Sequence, residues 1–402
     1  MPKYNIEKAL KHIDNSTIDE ENKEYIHEYI NDLSAQGLSK ARQAKYLYIL
    51  KKLSEMYEKD FSKANKKDMQ SMARKINNND DLSNWTKHDY LLTLKRFIRW
   101  LRISEGQKLR EKHYPEEVDW IKPHKYKGKK VLPTELLTME DVKTLADNTE
   151  NLRDRCLIMF LYESGARIGE AQNIKLKDVE FDEYGAKVHL FGKTGARFIR
   201  VIASAPSINN WLMEHPKRNT KTAPLFCGIW GKTRGKEMGY RYINKLLRKT
   251  AKKAGINKPV NPHHFRHSRA SELAQKLTES QLCEYLGWVQ GSGQASTYVH
   301  LSGKNLDDAI LKMHGLMKDD ETVKRFSPIE CPRCKTVNDP SNKFCSQCGL
   351  GLDERTMIEF DKQKEKAAQE GFIMQQLKKS NPEALESIVT AVLKELNDNK
   401  EN

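Results

Sequence analysis

Apolar residues return at helical spacing through the first hundred positions of the chain. Ala44, Leu47, Leu50, Leu53 and Met56 or Tyr57 fall three or four apart, which puts them on one face of a helix opened by Ser39. An earlier helix is predicted from near Ile18, with Thr17 as its cap, Glu20 at capping-box distance and Gly37 at its end. Asn65 with Asp68 starts a third helix, and Ser83 starts a fourth that buries Leu91, Leu94, Phe97, Ile98 and Leu101. Residues 1–103 therefore read as a helical module. The periodicity then stops: Gly, Pro, Lys and His dominate 104–133, which ends in Lys127-Gly128-Lys129-Lys130 and reads as a basic linker.

Periodic patterns resume over 134–317. Thr138 caps a helix to about Asp147, and Leu152 to Glu163 forms another that buries Cys156, Leu157, Met159 and Phe160. After Gly165 the chain re-enters helix with Arg167 at its start. Two strands, near Ala186–Phe191 and Phe198–Ile202, flank Gly192-Lys193-Thr194-Gly195-Ala196. Helices follow at 240–254, 262–276, 279–286, 293–300 and 304–314. The expected fold is mainly α with a small antiparallel β-sheet.

Further on, 328–352 holds Cys331-Pro332-Arg333-Cys334 and Cys345-Ser346-Gln347-Cys348, and 354–402 reads as a helical tail. The tail's last helix, started by Asn381 and Pro382, carries a stripe of Leu385, Ile388, Val389, Val392, Leu393 and Leu396. That stripe needs a covering surface, for which its own domain, another part of the cysteine segment and a second subunit are the candidates.

Composition narrows the class. The formal charge is +15 over 402 residues, which favours a polyanion partner over a merely solvated basic surface. Lys40, Arg42, Lys45, Lys51 and Lys52 give the Ser39 helix basic faces, and Arg42 and Lys45 are candidate DNA contacts. The longest apolar run, Cys156–Tyr162, is seven residues, against about twenty needed to cross a bilayer. The start of the chain lacks the apolar core of a signal peptide, so a cytoplasmic location is expected. Four of the seven cysteines form two Cys-x-x-Cys pairs, and Cys156, Cys227 and Cys283 stand alone among apolar residues. Such usage points to a metal site and core packing rather than disulfides. Four thiolates close a tetrahedral site, so Cys331, Cys334, Cys345 and Cys348 are read as ligands of a structural Zn²⁺.

Candidate chemistry lies in four separate stretches: Ser164-Gly165-Ala166-Arg167-Ile168-Gly169-Glu170, Gly192-Lys193-Thr194-Gly195, Pro262-His263-His264-Phe265-Arg266-His267-Ser268, and Leu286-Gly287-Trp288 followed ten residues later by Tyr298. Together they offer guanidiniums, an ammonium, an imidazole, an indole and a phenol. Guanidinium suits a phosphodiester because its planar fork grips two oxygens and stays charged. A phenol can attack phosphorus and keep the bond energy in a covalent ester.

These boxes, in this order, resemble those of the tyrosine recombinase (phage integrase) family. The resemblance covers about residues 5–317, with 1–103 similar to the family's core-binding domain and 134–317 to its catalytic domain. It implies that Tyr298 is the nucleophile, that Arg167 and Arg266 bind the phosphate, and that Glu170 orients Arg167. It also implies that Lys193 on the hairpin turn is the general acid for the 5′ oxygen, and that Arg197 contacts the DNA backbone. His263 assists proton removal or bonds a phosphate oxygen, while His264 and His267 beside it read more simply as packing residues. Trp288 stands where the commonest family pattern has His; its indole donates a hydrogen bond but cannot shuttle a proton. The segment 328–352 resembles small zinc ribbons common in archaeal proteins, appended to the family plan. Double-stranded DNA as partner, a homotetramer on two DNA sites, and chemistry without a catalytic cofactor are the corresponding expectations. The implied function is integration or excision of a mobile element. A dimer resolvase of the same chemistry and a catalytically inactive DNA-binding relative are the alternatives.

Overall fold

A computed structural model describes residues 5–111, 113–123, 132–192, 195–301, 311, 314 and 326–380. The chain divides into two compact units, Pro2–Lys130 and Val131–Asn402.

In the first unit the helices are α1 (Ile6–Asp14), α2 (Glu20–Ala35), α3 (Lys40–Tyr57), α4 (Lys66–Asn77), α5 (Asn84–Ser104) and the single turn α6 (Glu116–Asp119). Local chemistry sets their ends. Asn65 and Asp68 form a reciprocal capping box at the start of α4, and the Ser83 hydroxyl accepts the Thr86 N–H at the start of α5. At α2 the cap differs from expectation: Asp19 is the N-cap, Thr17 lies outside the helix, and Ile18 is buried ahead of its start. The apolar stripes of α2 to α5 meet in one core around Ile26, Leu50, Leu53, Phe61, Phe97 and Leu101. That core extends past residue 103. Val118 and Ile121 are buried in it, so the first half of the expected linker is folded onto the helices. Arg102 fastens it there, bonding Glu117 and the carbonyls of Ser62 and Ala64. The basic run Lys127–Lys130 lies outside the described residues.

The second unit is built around α8 (Leu152–Ser164), buried along nearly its whole length. Such a helix belongs at a centre, and α7 (Met139–Asp147), α10 (Ala205–Glu214) and α12 (Pro262–Ala274) pack on it. The short α9 (Ile168–Asn173) leads to an antiparallel sheet ordered β1 (Val179–Asp182), β2 (Gly185–Gly192), β3 (Gly195–Val201). Ala186, Val188 and Leu190 of β2 face inward, with Val188 opposite Val179 and Ile199. β1 was not among the expected strands; its sequence, Val-Glu-Phe-Asp, has too little apolar character to stand out from a turn. The helices α11 (Tyr240–Lys253), α13 (Glu279–Leu286) and α14 (Gln294–Leu301) complete this region. The expected helix 304–314 falls mostly outside the described residues. No described helix is long and apolar enough to cross a membrane.

Glu163, at the end of α8, ties the sheet to the next helix. Its carboxylate is 4% exposed and accepts the N–H groups of Ile202, Ala203 and Ser204 and the Ser204 hydroxyl, all at 2.7–2.9 Å. An amide at this position has only one accepting oxygen and turns its own N–H₂ toward the remaining donors. Glu163→Gln should therefore lower the unfolding free energy by about 2–3 kcal/mol in a urea titration.

The cysteine segment belongs to the same unit. Strands β4 (Ile329–Glu330) and β5 (Val337–Asn338) pair antiparallel, and a long helix, α15 (Glu354–Ser380), follows. The segment is docked on the helices around α8. Buried Asp339 accepts the Ser207 hydroxyl of α10, Ser341 accepts from Arg155 Nη2 of α8 at 2.6 Å, and Phe326 packs edge-on against Tyr162. The start signal at Asn381 and the stripe Leu385–Leu396 lie outside the described residues.

Candidate active site

The left-handed Gly165 ends α8, and a Cβ there would sit 2.9 Å from Leu286 Cδ2, so only glycine lets the chain turn so close to α13. Arg167 follows as the N-cap of α9. Its backbone N–H and its Nη1 both donate to Glu170, at 2.9 and 2.8 Å, and its Nη2 donates to the Gly287 carbonyl at 2.8 Å.

Glu170 is the hub. It is 2% exposed and also receives both terminal nitrogens of Arg197, at 2.8 and 2.9 Å. Burial alone would raise its pKa, but the Arg197 and Arg167 guanidiniums outweigh that and hold it below the usual carboxylate range. Arg197 also donates Nε to the Tyr285 carbonyl. Its guanidinium is thus held by three protein bonds in a nearly buried ion pair, a role not expected of it. Sequence reading missed this because hairpin position alone does not reveal a carboxylate waiting beneath it.

Lys193 lies outside the described residues. The base of its hairpin does not: Gly192 pairs with Gly195, and a Cβ on Gly192 would come within 2.4 Å of Glu170 Oε1. Glycine is therefore required where the hairpin passes the hub.

On α12, Asn261 caps the N–H groups of His263 and His264, and Pro262 occupies the first turn. His263, Arg266 and His267 share one face at i, i+3 and i+4. Arg266 is 5% exposed and donates to the carbonyls of Gly165, at 2.8 Å, and Leu286, at 2.6 Å. Burial and the nearby Arg167 push its pKa down to about 10, which leaves it charged at neutral pH. Partial burial, Arg266 and Arg167 all lower the His263 pKa, so that imidazole is neutral near pH 7. Tyr285, the tyrosine beside the last box, donates its hydroxyl to the Glu163 carbonyl.

Gly287 explains the glycine of the Leu-Gly-Trp box. Its φ is +62°, and a Cβ there would strike Arg197 Nη1 at 2.6 Å. Beyond it the Trp288 ring stacks on Tyr298, with centroids 5.2 Å apart and planes 13° apart, while the Arg266 guanidinium lies 5.3 Å from the indole centroid. Tyr298, on α14, is 7% exposed. Burial raises its pKa and Arg266 opposes that rise. Its hydroxyl is hydrogen-bonded to His267 Nδ1. His267 was expected only as a packing neighbour, although its spacing from His263 on one helical face could have flagged it.

The structure thus brings Arg167, Glu170, His263, Arg266, Trp288 and Tyr298 together, with Arg197 and His267 behind them. The cleft between α9 and α12 is lined by Arg167, Ile168, Tyr240, Asn261, His263 and Arg266. Two convergent cations, indole and phenol form a site able to bind a phosphate and attack it. In the first unit, Arg42 and Lys45 are exposed on α3, where Lys45 pairs with Asp89 at 2.6 Å.

The four thiols are also brought together. One sulfur from each of Cys331, Cys334, Cys345 and Cys348 lies within 4.8 Å of the others, a spacing and donor set that fit a tetrahedral thiophilic ion.

Comparison with known proteins agrees with this geometry. The model of the phage integrase family matches residues 135–305. A tyrosine recombinase XerC of Staphylococcus aureus is 30% identical over 256 residues, covering 60% of this chain and 83% of the relative. Tyrosine recombinase XerA of Pyrococcus horikoshii is 24% identical over 292 residues, covering 72% and 94%. A likeness in fold extends to the XerH site-specific recombinase in a post-cleavage complex, with TM-score 0.55, 20% identity and coverage of 77% and 88%. It extends also to a lambda integrase tetramer bound to a Holliday junction, with TM-score 0.54, 14% identity and coverage of 73% and 80%.

Proposed function

The chain belongs to the tyrosine recombinase (phage integrase) family, and from that premise we propose that it cuts and rejoins double-stranded DNA through Tyr298, in the integration or excision of a mobile element. Arg167 and Arg266 hold the non-bridging oxygens of the scissile phosphate as negative charge builds on them, a contribution of about 3 kcal/mol per donor in comparable sites. The phenol oxygen attacks phosphorus and forms a 3′-phosphotyrosyl ester while the 5′ oxygen leaves with a proton from Lys193. Glu170 fixes Arg167, and Trp288 positions both Arg266 and the tyrosine ring. The ester keeps the energy of the broken bond, so religation needs no ATP, and the fixed cations do the charge stabilisation that a catalytic metal would do.

The convergence of Arg167, Arg266, Trp288 and Tyr298 from separate elements carries this reading. Supercoiled plasmid incubated with the protein without magnesium tests it. Relaxation and protein-linked DNA on a denaturing gel are expected; their absence at every DNA tried would favour an inactive DNA-binding relative.

Assembly as a homotetramer on two DNA sites, in the cytoplasm, completes the proposal, in line with the tetrameric lambda integrase complex. The cysteine cluster holds zinc, which supplies a rigid cross-link and no chemistry at the phosphate. Metal analysis should give about one zinc per chain, and Cys345→Ser should remove most of it and lower the melting temperature.

A further inference from the structure

The site contains two histidines on one face of α12, and one of them, His267, is hydrogen-bonded to the Tyr298 hydroxyl. We propose that His267, rather than His263, takes the phenol proton of Tyr298 during strand cleavage; this rests on Tyr298 being the nucleophile.

The hydrogen bond between Tyr298 and His267 Nδ1 is the path the proposal gives the proton, with the phenol as donor. A phenolic O–H donates there only if Nδ1 is bare, which makes His267 the neutral Nε2–H tautomer. The surroundings keep the ring neutral, as the proposal requires. Burial, His263, His264 and Arg266 lower the His267 pKa to about 4, and the other ionisable group against the ring is Tyr298 itself. A base with so low a pKa does not strip the proton from a resting phenol. It becomes competent as the phenol oxygen bonds to phosphorus and grows acidic, and the imidazolium is then formed beside a phosphate gaining negative charge.

Atoms balance. The P–O(Tyr298) bond forms and the P–O5′ bond breaks. The phenol proton moves to His267 Nδ1, and the 5′ oxygen takes a different proton from the general acid. In religation both transfers reverse. His263, whose ring centroid lies 5.6 Å from that of His267, sits nearer the open cleft beside Arg167, where it can donate to a phosphate oxygen.

His267→Asn tests the proposal, because Oδ1 can still accept the phenol hydrogen bond but cannot carry the proton away. Covalent adduct should form about 100-fold more slowly than in the wild type at pH 7. It should accelerate roughly tenfold per pH unit toward the phenol pKa, whereas the wild-type rate is flat above about pH 5. His263→Asn should slow the reaction without introducing that slope. A His267→Asn enzyme within about threefold of wild type, with the same flat profile, overturns the proposal.

A second measurement needs no DNA. In ¹⁵N-histidine-labelled full-length protein, the His267 Nδ1 signal should lie at the bare-nitrogen position and move in Tyr298→Phe; a protonated Nδ1, or a signal indifferent to that substitution, also overturns it. If wild type forms no adduct with any DNA while this signal behaves as expected, the recombinase reading fails and the His267 contact stands.

Discussion

Tyr298→Phe should form no covalent adduct with DNA, a loss on the order of 10⁴-fold or more. The reaction needs an oxygen at that position, and the neighbouring Tyr285 has its hydroxyl bonded to the Glu163 carbonyl. The change should leave the molecule otherwise intact. Phenylalanine keeps the stacked ring beneath Trp288 and fills the same buried volume. The stability change should stay near the value of one hydrogen bond, about 1 kcal/mol. Labelled DNA on a denaturing gel reads the first effect, and a urea titration with a mobility-shift assay reads the second. Adduct that persists in the variant would mean that another tyrosine attacks.

Arg266→Lys should show two losses at once. Arg266 holds the Gly165 and Leu286 carbonyls with its two terminal nitrogens while its guanidinium plane lies near Trp288. Lysine keeps the charge but has no fork, so at least one buried carbonyl loses its donor, at a cost of about 1–3 kcal/mol. The phosphate clamp loosens as well, and cleavage should fall by about 10²–10³-fold. Arg167→Lys provides the contrast. Its side chain is 33% exposed, and its partners include the charged Glu170, which an ammonium can still satisfy. It should lose a comparable factor in rate with a smaller change in unfolding. Equal stability losses in the two variants would mean that the buried carbonyls do not depend on Arg266.

The outcomes at individual residues show what a sequence can reveal. Caps at Asn65, Ser83 and Thr138 were legible because each rests on a side chain and a backbone group a few positions apart. The boxes were legible as local residue patterns, and the structure supplies the steric reason for two of their glycines, Gly165 and Gly287. The Arg197 ion pair was not legible because its partner, Glu170, is 27 residues away in the chain. Val118 and Ile121 were hidden in a basic, irregular stretch; two apolar residues make no period, yet they suffice to fold that stretch onto the first core. The thin strand β1 was missed for a related reason, since its order comes from pairing with β2 rather than from its own composition.

The docking of Asp339 and Ser341 on Ser207 and Arg155 bears on where this protein can be cut. The stretch matched by the family model stops at residue 305, and the metal-ligand segment begins beyond it, at 331. A fragment trimmed to the inherited boundary would strip polar partners from α10 and from α8, the helix that carries Glu163 and leads directly into Gly165. In this chain the border of ancestry and the border of self-sufficiency lie at different residues, and an expression fragment that respects only the first removes a wall of the catalytic unit along with the appendage.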